Sequence, residues 1–391
     1  MDQPPNHYRL LAIELLEEDV DVISNAADRQ MGFLRSCQTG QRTNDAQRLL
    51  SEIAVAKACL LDAAKKAEYD DGLISDVLLS GESPSIEPPP LPADVPQEQP
   101  SKKPFEFRRP AELGLDDYEI LGQLDQSQTG GVFHAKHLPT NRAVALKIVS
   151  YQASQSDYLI ARFHRKVKIL SRLDHPNLVK LLEAGQSGHT YYLATEYVDG
   201  PNLAVLAQQT GPMPVAYGVN YTMQAAAGLA FAHRLGVFHR NIKPANLMVN
   251  RNSGVIKVVG LGLAKISEQF SGISITEKLT DPGVGLGSAD YIAPEQITDP
   301  SRVSHRADIY GLGYTMFRLL TGRPPYTSKS AVLKMQGHVD GPIPSLQQLR
   351  PDIPETLEAI YQRMVAKRPE ERWNSMDDVF QMLQSVPTQN G

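Results

Sequence analysis

The segment from His239 to Lys265, HRNIKPANLMVNRNSGVIKVVGLGLAK, is rich in side chains that bind anions or coordinate cations but contains no Asp or Glu. Lys243 can neutralise a negative charge, and the amide of Asn246 can supply an oxygen to a metal ion. The amide of Asn241 can accept a hydrogen bond but cannot take up a proton at neutral pH. The segment therefore has groups that bind a charged ligand and lacks the carboxylates that proton abstraction and magnesium binding ordinarily use.

This segment contains one of six motifs that follow one another between residues 118 and 385. They are VALK with Lys147, HPN at 175–177, HRNIKPAN at 239–246, SADYIAPE ending at Glu295, ADIYGLG with Asp308, and RPEERW with Arg372. In this order the motifs resemble those of the serine/threonine protein kinases, in particular the eukaryotic-like kinases of bacteria. The resemblance implies an α+β fold of two lobes, a small antiparallel β lobe followed by a larger helical lobe.

The hydrophobic pattern of the same region favours this order of elements. The segments YEILGQL, GGVFHAKHL, RAVALKIVS, LVKLLEAG and YYLATEYV are short, rich in β-branched and aromatic residues, and separated by turn residues. Such segments predict an antiparallel sheet. Helical periodicity occurs once among them, in YLIARFHRKVKILSRL, and dominates from residue 202 to the end.

The resemblance assigns roles to the residues that match the family's motifs. Lys147 would neutralise nucleotide phosphates, and Asn246 would supply oxygen to a second magnesium ion. Glu295 and Arg372 would form a buried ion pair in the helical lobe, and Asp308 would hold the catalytic-loop backbone. Structural roles are thus expected for His239, Leu261, Glu295, Asp308 and Arg372, with Leu261 filling the apolar slot of the family's phenylalanine.

Two departures from the family's pattern remove acidic groups from the catalytic positions. The family's catalytic base is an aspartate, and Asn241 stands in its place; losing a positioned base typically costs a factor of about 10² to 10⁴ in rate. The metal-binding Asp-Phe-Gly becomes Gly260-Leu261-Gly262. Magnesium usually enters such a site through one or two carboxylates, so only Asn246 and water remain to hold it.

Two further departures affect the phosphate-binding part of the small lobe. The helix glutamate that should pair with Lys147 is replaced by Lys166, which turns an ion pair into a like-charge pair. The glycine-rich loop reads Asp125-Gln126-Ser127-Gln128-Thr129-Gly130 and keeps only its last glycine. Because the backbone must approach phosphates closely there, and because Asp125 adds negative charge, this change also acts against catalysis.

Adenine binding depends on other residues, because it uses apolar packing and the backbone of the hinge between the lobes. By resemblance, Val132, Ala145 and Met248 would enclose the adenine. Thr195 would be the gatekeeper, and residues 196–198 the hinge. The cofactor-binding residues expected on this basis are Lys147, Val132, Ala145, Glu196, Val198, Lys243, Asn246 and Met248; the alternative is that the apolar members only join the two lobes.

The lysines of the cleft suggest how a nucleotide could bind without a metal. Lys147, Lys166 and Lys243 would converge where carboxylates have been lost and would place positive charge where magnesium otherwise lies. The hypothesis is that ATP is the cofactor and binds weakly and independently of metal; the alternative is an empty scaffold that binds no nucleotide. No metal site with a full set of ligands is expected.

The segment from Gly260 to Glu295 corresponds to the family's activation segment. Its sequence SGISITEKLTDPG, residues 271–283, offers Ser271, Ser274, Thr276 and Thr280 as phosphate acceptors for an upstream kinase. Arg240 remains as a group that could receive a phosphate. The alternative reading is a solvated loop, because such loops are rich in Ser and Thr whether or not they are modified.

The N-terminal region carries a second resemblance. The pattern HYRLLAI, helix, loop, helix, then LLDAAKKAEYDDGL with a Lys-x-x-x-Tyr-Asp sequence is similar to a J-domain over residues 6–73. J-domains carry His-Pro-Asp between their long helices, where this chain reads SCQTGQRTND. His7 lies outside that loop and cannot replace the motif's histidine. Stimulation of a heat-shock chaperone is therefore not expected, and the region is interpreted as a small helical interaction module.

Composition shifts divide the chain. Residues 83–110 contain nine prolines, which hold a chain extended and remove backbone donors, so this stretch is interpreted as a spacer. The predicted domains are a helical J-domain-like module at 1–75, a proline-rich linker at 76–113, a protein-kinase-like domain at 114–385 and a short tail at 386–391.

Bulk properties restrict the partners and the compartment. The 391 residues carry a net charge of −5, which gives no electrostatic reason to expect nucleic acid or an anionic membrane. Only Cys37 and Cys59 are present, so neither a disulfide framework nor a cysteine zinc site is expected. There is no signal peptide pattern and no long apolar run, and we expect a cytoplasmic protein with protein partners.

These observations favour one function over two others. The leading interpretation is a catalytically impaired serine/threonine pseudokinase that acts as a regulatory or scaffold module. The second is an active serine/threonine kinase with relocated acidic residues, in which Lys243 indicates a preference for serine or threonine. The third is a J-like co-chaperone or adaptor, which the missing His-Pro-Asp disfavours.

Overall fold

The computed structural model describes residues 6–13, 16–36, 43–79, 88–89, 115–127, 130–150, 164, 167–187, 190–261 and 289–387. Two compact units make up the chain, one built around residues 1–82 and the other around residues 83–391. In the described part of the chain, no helix is both long enough and apolar enough to cross a membrane.

The N-terminal unit is a small all-α module, as the sequence predicted. Its helices are α1 (His7–Leu11), α2 (Val20–Ser36), α3 (Thr43–Leu61) and α4 (Ala63–Leu79). Asp62 separates the last two helices, because its carboxylate accepts hydrogen bonds from the backbone N–H groups of Ala64 and Lys65 and so begins a new helix. Helix α4 continues to Leu79, past the predicted boundary of the module at residue 75.

The apolar stripes of these helices meet in one core. Its buried members are Tyr8, Leu11, Ile23, Ala26, Ala27, Ile53, Ala56 and Leu60. The Tyr8 hydroxyl donates a hydrogen bond of 2.5 Å to Asp70, and Lys66 pairs with the same carboxylate at 2.7 Å. The Tyr8 hydrogen bond connects α1 to α4, and the Lys66 pair holds the Asp70 carboxylate within α4. The aspartate of the Tyr-Asp pattern therefore has a structural role.

The second unit begins with a five-stranded antiparallel sheet in the order β1-β2-β3-β5-β4. Its strands are β1 (Tyr118–Ser127), β2 (Gly130–His137), β3 (Arg142–Ser150), β4 (Leu181–Ser187) and β5 (Thr190–Glu196). One face is packed with buried Phe133, Val144, Leu146 and Ile148. Because side chains alternate along a strand, Val132, Ala145 and Lys147 lie on the opposite face.

The larger lobe is helical and contains one short hairpin, which confirms the predicted kinase-like architecture. Its helices are α5 (Leu203–Thr210), α6 (Val215–Arg234), α7 (Pro294–Thr298), α8 (Arg306–Thr321), α9 (Ala331–Asp340), α10 (Leu346–Leu349), α11 (Glu355–Met364) and α12 (Met376–Gln384). The hairpin pairs β6 (Leu247–Val249) with β7 (Ile256–Val258). Helices α6 and α8 are buried on most sides, which is typical of helices at the centre of a lobe.

Glu295 and Arg372 join distant parts of this lobe. The guanidinium of Arg372 is fully buried and donates to both Glu295 oxygens at 2.7 and 2.8 Å. It also donates to three backbone carbonyls, those of Arg306, Ala366 and Lys367. A buried charge with this number of partners is compensated, and the geometry ties α7 to the start of α8 and to the segment before α12.

Candidate nucleotide-binding cleft

The backbone of the HRN segment is held by one buried carboxylate. Asp308, at the start of α8, accepts hydrogen bonds from the backbone N–H of His239 at 2.8 Å and of Arg240 at 2.6 Å, and contacts His233 at 2.8 Å. Burial alone would raise the pKa of Asp308, but the hydrogen bonds and charges of His233 and His239 outweigh it and leave the pKa below its usual value. Arg240 has a φ of +65° and needs this support, because non-glycine residues rarely adopt that conformation.

The three positions that would carry base and metal ligands lie together. The Asn246 side-chain amide donates to the Asn241 carbonyl at 2.7 Å, and the Asn246 carbonyl accepts from the Val259 N–H at 3.0 Å. The carbonyl of Val259, next to Gly260, contacts His239 Nε2 at 2.8 Å. One hydrogen-bond network therefore connects Asn241, Asn246 and Val259, and Gly260 directly follows it in the chain. None of residues 241, 246 and 260 is acidic.

His239 is the central member of this network. Its Nε2 contacts the Val259 carbonyl, and its Nδ1 accepts a hydrogen bond from the Asn241 N–H at 3.3 Å. This pattern requires the neutral ring with the proton on Nε2. Burial lowers the pKa of His239, although the charge of Asp308 acts in the opposite direction. His239 therefore serves here as a neutral structural link.

Gly260 leaves space where the family's metal-binding side chain would start. Its φ is +78°, and among the described residues the nearest heavy atom to an added Cβ would be His239 Nε2 at 3.9 Å. The backbone position is thus formed and uncrowded, while the side chain is absent. Leu261 follows it with 6% of its surface exposed, so this side chain is buried.

The small lobe places the expected adenine-contacting residues in register. Val132 pairs with Lys147 between β2 and β3, and Ala145 pairs with Thr195 between β3 and β5. The Thr195 hydroxyl donates to the Ala145 carbonyl at 3.3 Å. Val132, Ala145 and Lys147 are each half-buried, as expected for side chains that line an open cleft. These side chains share the sheet face opposite the packed core.

The hinge is tied to the helical lobe by a side chain of its own. The Glu196 carboxylate pairs with Lys257 of β7 at 2.7 Å and accepts from the Lys180 N–H at 3.0 Å. Only the backbone of Glu196 is therefore suited to contact a ligand. Val198 is buried, and Met248 is half-buried at the centre of β6.

Two residues of the small lobe gain importance from the structure. His134 lies two residues beyond Val132 on the same strand face, and its ring stacks on the hinge residue Tyr197 with centroids 4.0 Å apart. His134 belongs to none of the family's motifs, although the alternation of side chains along β2 places it on the same face as Val132. The second is Asp125, which pairs with Val132 in the β1–β2 register.

Asp125 brings a negative charge to Lys243. Burial lowers the pKa of Lys243, and the carboxylate of Asp125 acts in the opposite direction. Lys243 is only partly exposed to solvent, whereas Asp125 is exposed at the end of β1. The structure therefore brings a residue of the former glycine-rich loop into electrostatic range of the lysine that follows the HRN motif.

Several of the predicted site residues lie outside the described part of the chain. These are Lys166, the loop positions Gln128 and Thr129, and the acceptor positions Ser271, Ser274, Thr276 and Thr280. The convergence of Lys147, Lys166 and Lys243 and the phosphorylation of residues 271–280 accordingly stay predictions.

With this geometry in place, comparison with known proteins identifies the class. The protein kinase domain family matches residues 118–385, so the chain belongs to that family. The crystal structure of a mutant of the PknI kinase domain from Mycobacterium tuberculosis superimposes with a TM-score of 0.52 and 25% identity, covering 68% of this chain and 94% of that one.

Curated relatives are bacterial serine/threonine kinases. Serine/threonine-protein kinase PrkC of Bacillus subtilis is 32% identical over 262 residues, which are 67% of this chain and 39% of the relative. Serine/threonine-protein kinase PknD of Mycobacterium tuberculosis is 34% identical over 263 residues, 67% of this chain and 38% of the relative. The chain thus spans about two fifths of the length of the curated relatives that it matches.

Proposed function

We propose that this protein is a catalytically impaired serine/threonine pseudokinase, which uses the kinase fold as a regulatory or scaffold module and retains a nucleotide-binding cleft. The observation that carries the proposal is the network that joins Asn241, Asn246 and Val259, directly before Gly260. It keeps the backbone connections of a catalytic centre while offering amide groups and a glycine in place of carboxylates.

The donor set of this network does not fit a magnesium ion. Asn246 supplies one carboxamide oxygen, and Gly260 supplies no side chain at all. Magnesium prefers six oxygens in near-ideal octahedral geometry and usually takes at least one carboxylate from the protein. We therefore assign ATP a binding mode that depends on the adenine-contacting residues and on lysine charge, with no metal-dependent step.

A transfer assay tests the proposal. Purified full-length protein, labelled ATP, magnesium or manganese and a generic protein acceptor should give no more transfer than the Lys147→Ala variant under the same conditions. If the parent protein transfers clearly more phosphate than the Lys147→Ala variant does, the protein is an active enzyme. An active relative assayed in parallel verifies the reagents.

One observation favours the second candidate, an active kinase with relocated acids. Asp125 is a described carboxylate in electrostatic range of Lys243, and it comes from a loop that normally has none at this position. If Asp125 serves as a relocated acid, Asp125→Asn should abolish the transfer that the parent protein shows. If the pseudokinase proposal is right, there is no transfer for this substitution to remove.

For the N-terminal unit we propose a J-like interaction module without chaperone stimulation. Its two long helices, α2 and α3, flank the place where the J-domain motif would lie, and the sequence there lacks His-Pro-Asp. Full-length protein should leave the ATPase rate of a heat-shock chaperone unchanged, whereas an intact J-protein raises it in the same assay. Stimulation by this chain would contradict the proposal.

We further propose that protein partners and an upstream kinase act on this molecule, with residues 271–280 as the acceptor segment. Arg240, whose backbone is held by Asp308, supports this as a cation that can receive a phosphate. Mass spectrometry of protein isolated from its own cell should detect phosphate on this segment. Recovery of only the unmodified peptide would remove the support.

A further inference from the structure

The turn between β6 and β7, Asn250–Val255, is held in one conformation by hydrogen bonds among its own residues. The Asn250 side chain accepts hydrogen bonds from the N–H groups of Asn252 and Ser253, and the Gly254 N–H donates to the Asn250 carbonyl at 2.8 Å. An Asx arrangement of this kind presets the turn conformation without contributions from other elements. The β6–β7 turn can therefore present a defined surface.

Two prolines from the predicted linker lie on this turn. Pro89 is buried and Pro88 is half-buried, although both belong to the stretch that the sequence analysis treated as a spacer. A Cβ added to Gly254 would stand 3.0 Å from Pro88 Cβ and 3.0 Å from the Pro89 carbonyl oxygen. Two features therefore favour glycine at position 254: its φ is +68°, and a side chain there would be too close to the prolines.

We propose that the β6–β7 turn is a docking surface for an extended proline segment, and that its occupant is Pro88–Pro89 of the same chain. Prolines have restricted backbone torsions and no N–H to satisfy, so docking such a segment costs little conformational entropy and leaves no donor unpaired. The proline-rich stretch is then held to the kinase-like unit at one point, and it is not a free spacer throughout its length.

The turn also contacts the segment that follows the hinge. The Arg251 N–H donates to the Asp199 carbonyl at 2.8 Å, and the Val249 N–H donates to the Pro201 carbonyl at 2.9 Å. Residues 199–201 directly follow the hinge. The docked prolines thus contact a turn whose backbone is hydrogen-bonded to the segment that directly follows the hinge.

A peptide-binding experiment on the full-length protein tests the occupant. The probe is a fluorescein-labelled peptide with the sequence of residues 83–95. In the parent protein the chain's own prolines fill the surface, so no saturable binding is expected. In the Pro88→Ser/Pro89→Ser variant the surface is vacated, and saturable binding is expected. Binding to neither protein, or equal binding to both, would overturn the proposal; the latter result would assign the surface to a partner in trans.

A thermal double-mutant cycle tests the contact itself. Gly211 also has a positive φ, +72°, and no described residue lies within 4 Å of a Cβ added there, so Gly211→Ala measures the cost of a side chain at positive φ without a close contact. We expect Gly254→Ala to lower the Tm at least twice as much as Gly211→Ala. In the Pro88→Ser/Pro89→Ser background the loss for Gly254→Ala should shrink and that for Gly211→Ala should not change. Serine keeps the Cβ and the carbonyl, but without the proline rings the segment no longer holds these atoms against the turn. Equal losses in the parent protein would contradict the proposed contact.

Discussion

At the scale of single residues, the cleft departs from the family's motifs in the charges of its side chains, while hydrogen bonds hold its loop backbone in place. Asp308 holds His239 and Arg240, and Asn246 bonds to Asn241, so the loop is fully supported. The backbone of the loop is held in place, but the side chains that it positions carry different charges from those of the family's motifs. Where an active site would concentrate carboxylates around a metal, this cleft has amides, a glycine and a lysine whose described electrostatic partner is Asp125.

The charge of Asp125 leads to a first prediction. Because Asp125 attracts Lys243 and would repel a phosphate, Asp125→Asn should tighten ATP binding about threefold to fivefold, the range for a partly exposed charge pair. Isothermal titration in EDTA measures the affinity. Glu119→Gln, which removes a carboxylate from the same strand, is the matched control and should leave it unchanged. Weaker binding by the Asp125→Asn variant would show that this carboxylate supports the ligand.

The open space at Gly260 leads to a second prediction. Gly260→Asp should make ATP binding respond to magnesium, because the carboxylate enters a position whose backbone is formed and uncrowded. Gly260→Asn has nearly the same shape and the same backbone requirement without the charge, so its affinity should stay independent of magnesium. If the ATP affinities of the two variants depend on magnesium to the same extent, the carboxylate at position 260 does not complete a magnesium site with Asn246.

At the scale of elements, buried polar groups join segments that are far apart in sequence. The Arg372–Glu295 pair connects three parts of the helical lobe, and the ring of His338 connects α9 to α8 through a 2.8 Å contact between Nδ1 and the Tyr310 hydroxyl. Such groups stabilise the lobe only in one protonation and pairing state. The free energy of unfolding should therefore change when the charge of either site is changed by substitution or by protonation.

Breaking the ion pair should be costly. Glu295→Gln leaves the fully buried Arg372 without its counter-charge, and we expect a loss of about 3–5 kcal/mol in the free energy of unfolding. Glu371→Gln makes the same chemical change in the exposed pair of Arg368 and Glu371 and should cost less than about 1 kcal/mol. Urea unfolding of both variants provides the comparison, and equal losses would rule out a supporting role for the buried pair.

His338 should make the lobe sensitive to mild acid. Burial lowers the pKa of His338 to about 3, and the charge of Lys367 acts in the same direction. The unfolded chain takes up this proton near pH 6.5 and the folded chain does not, so stability is complete above about pH 6.5 and falls with decreasing pH toward 3, by up to about 1.4 kcal/mol per pH unit.

The measurement compares urea midpoints at pH 7.5 and pH 5.5. His338→Gln removes the titrating ring and should reduce the dependence of the midpoint on pH, whereas substitution of the exposed His164 by Gln should preserve it. An unchanged pH dependence in His338→Gln would assign the acid sensitivity to other groups.

At the scale of the whole molecule, the sequence predicted the order of the units well. The kinase motifs occur in sequence order over most of the second unit, and the alternation of β2 and β3 assigns Val132, Ala145 and Lys147 to one sheet face. These features depend on local sequence patterns or on the order of the family's motifs, so the sequence alone predicts them.

Contacts between distant segments could not be predicted in this way. The interaction of Asp125 with Lys243 depends on how the small lobe meets the helical lobe, and the burial of Pro89 depends on a turn far along the chain. Asp62 also ends α3, where the sequence pattern alone allowed one continuous helix. In the first two cases a contact made by tertiary structure decides the outcome, whereas the cap at Asp62 is a local contact that reaches only two and three residues along the chain.

The central claim is that the cleft binds nucleotide without a magnesium site, and titration of the full-length protein with ATP tests it most directly. We predict measurable binding in excess EDTA, with a Kd that changes by less than about threefold when magnesium replaces EDTA, because no carboxylate at positions 241, 246 or 260 can hold the ion. Binding that requires magnesium, or that tightens by tenfold or more when it is added, would contradict the account.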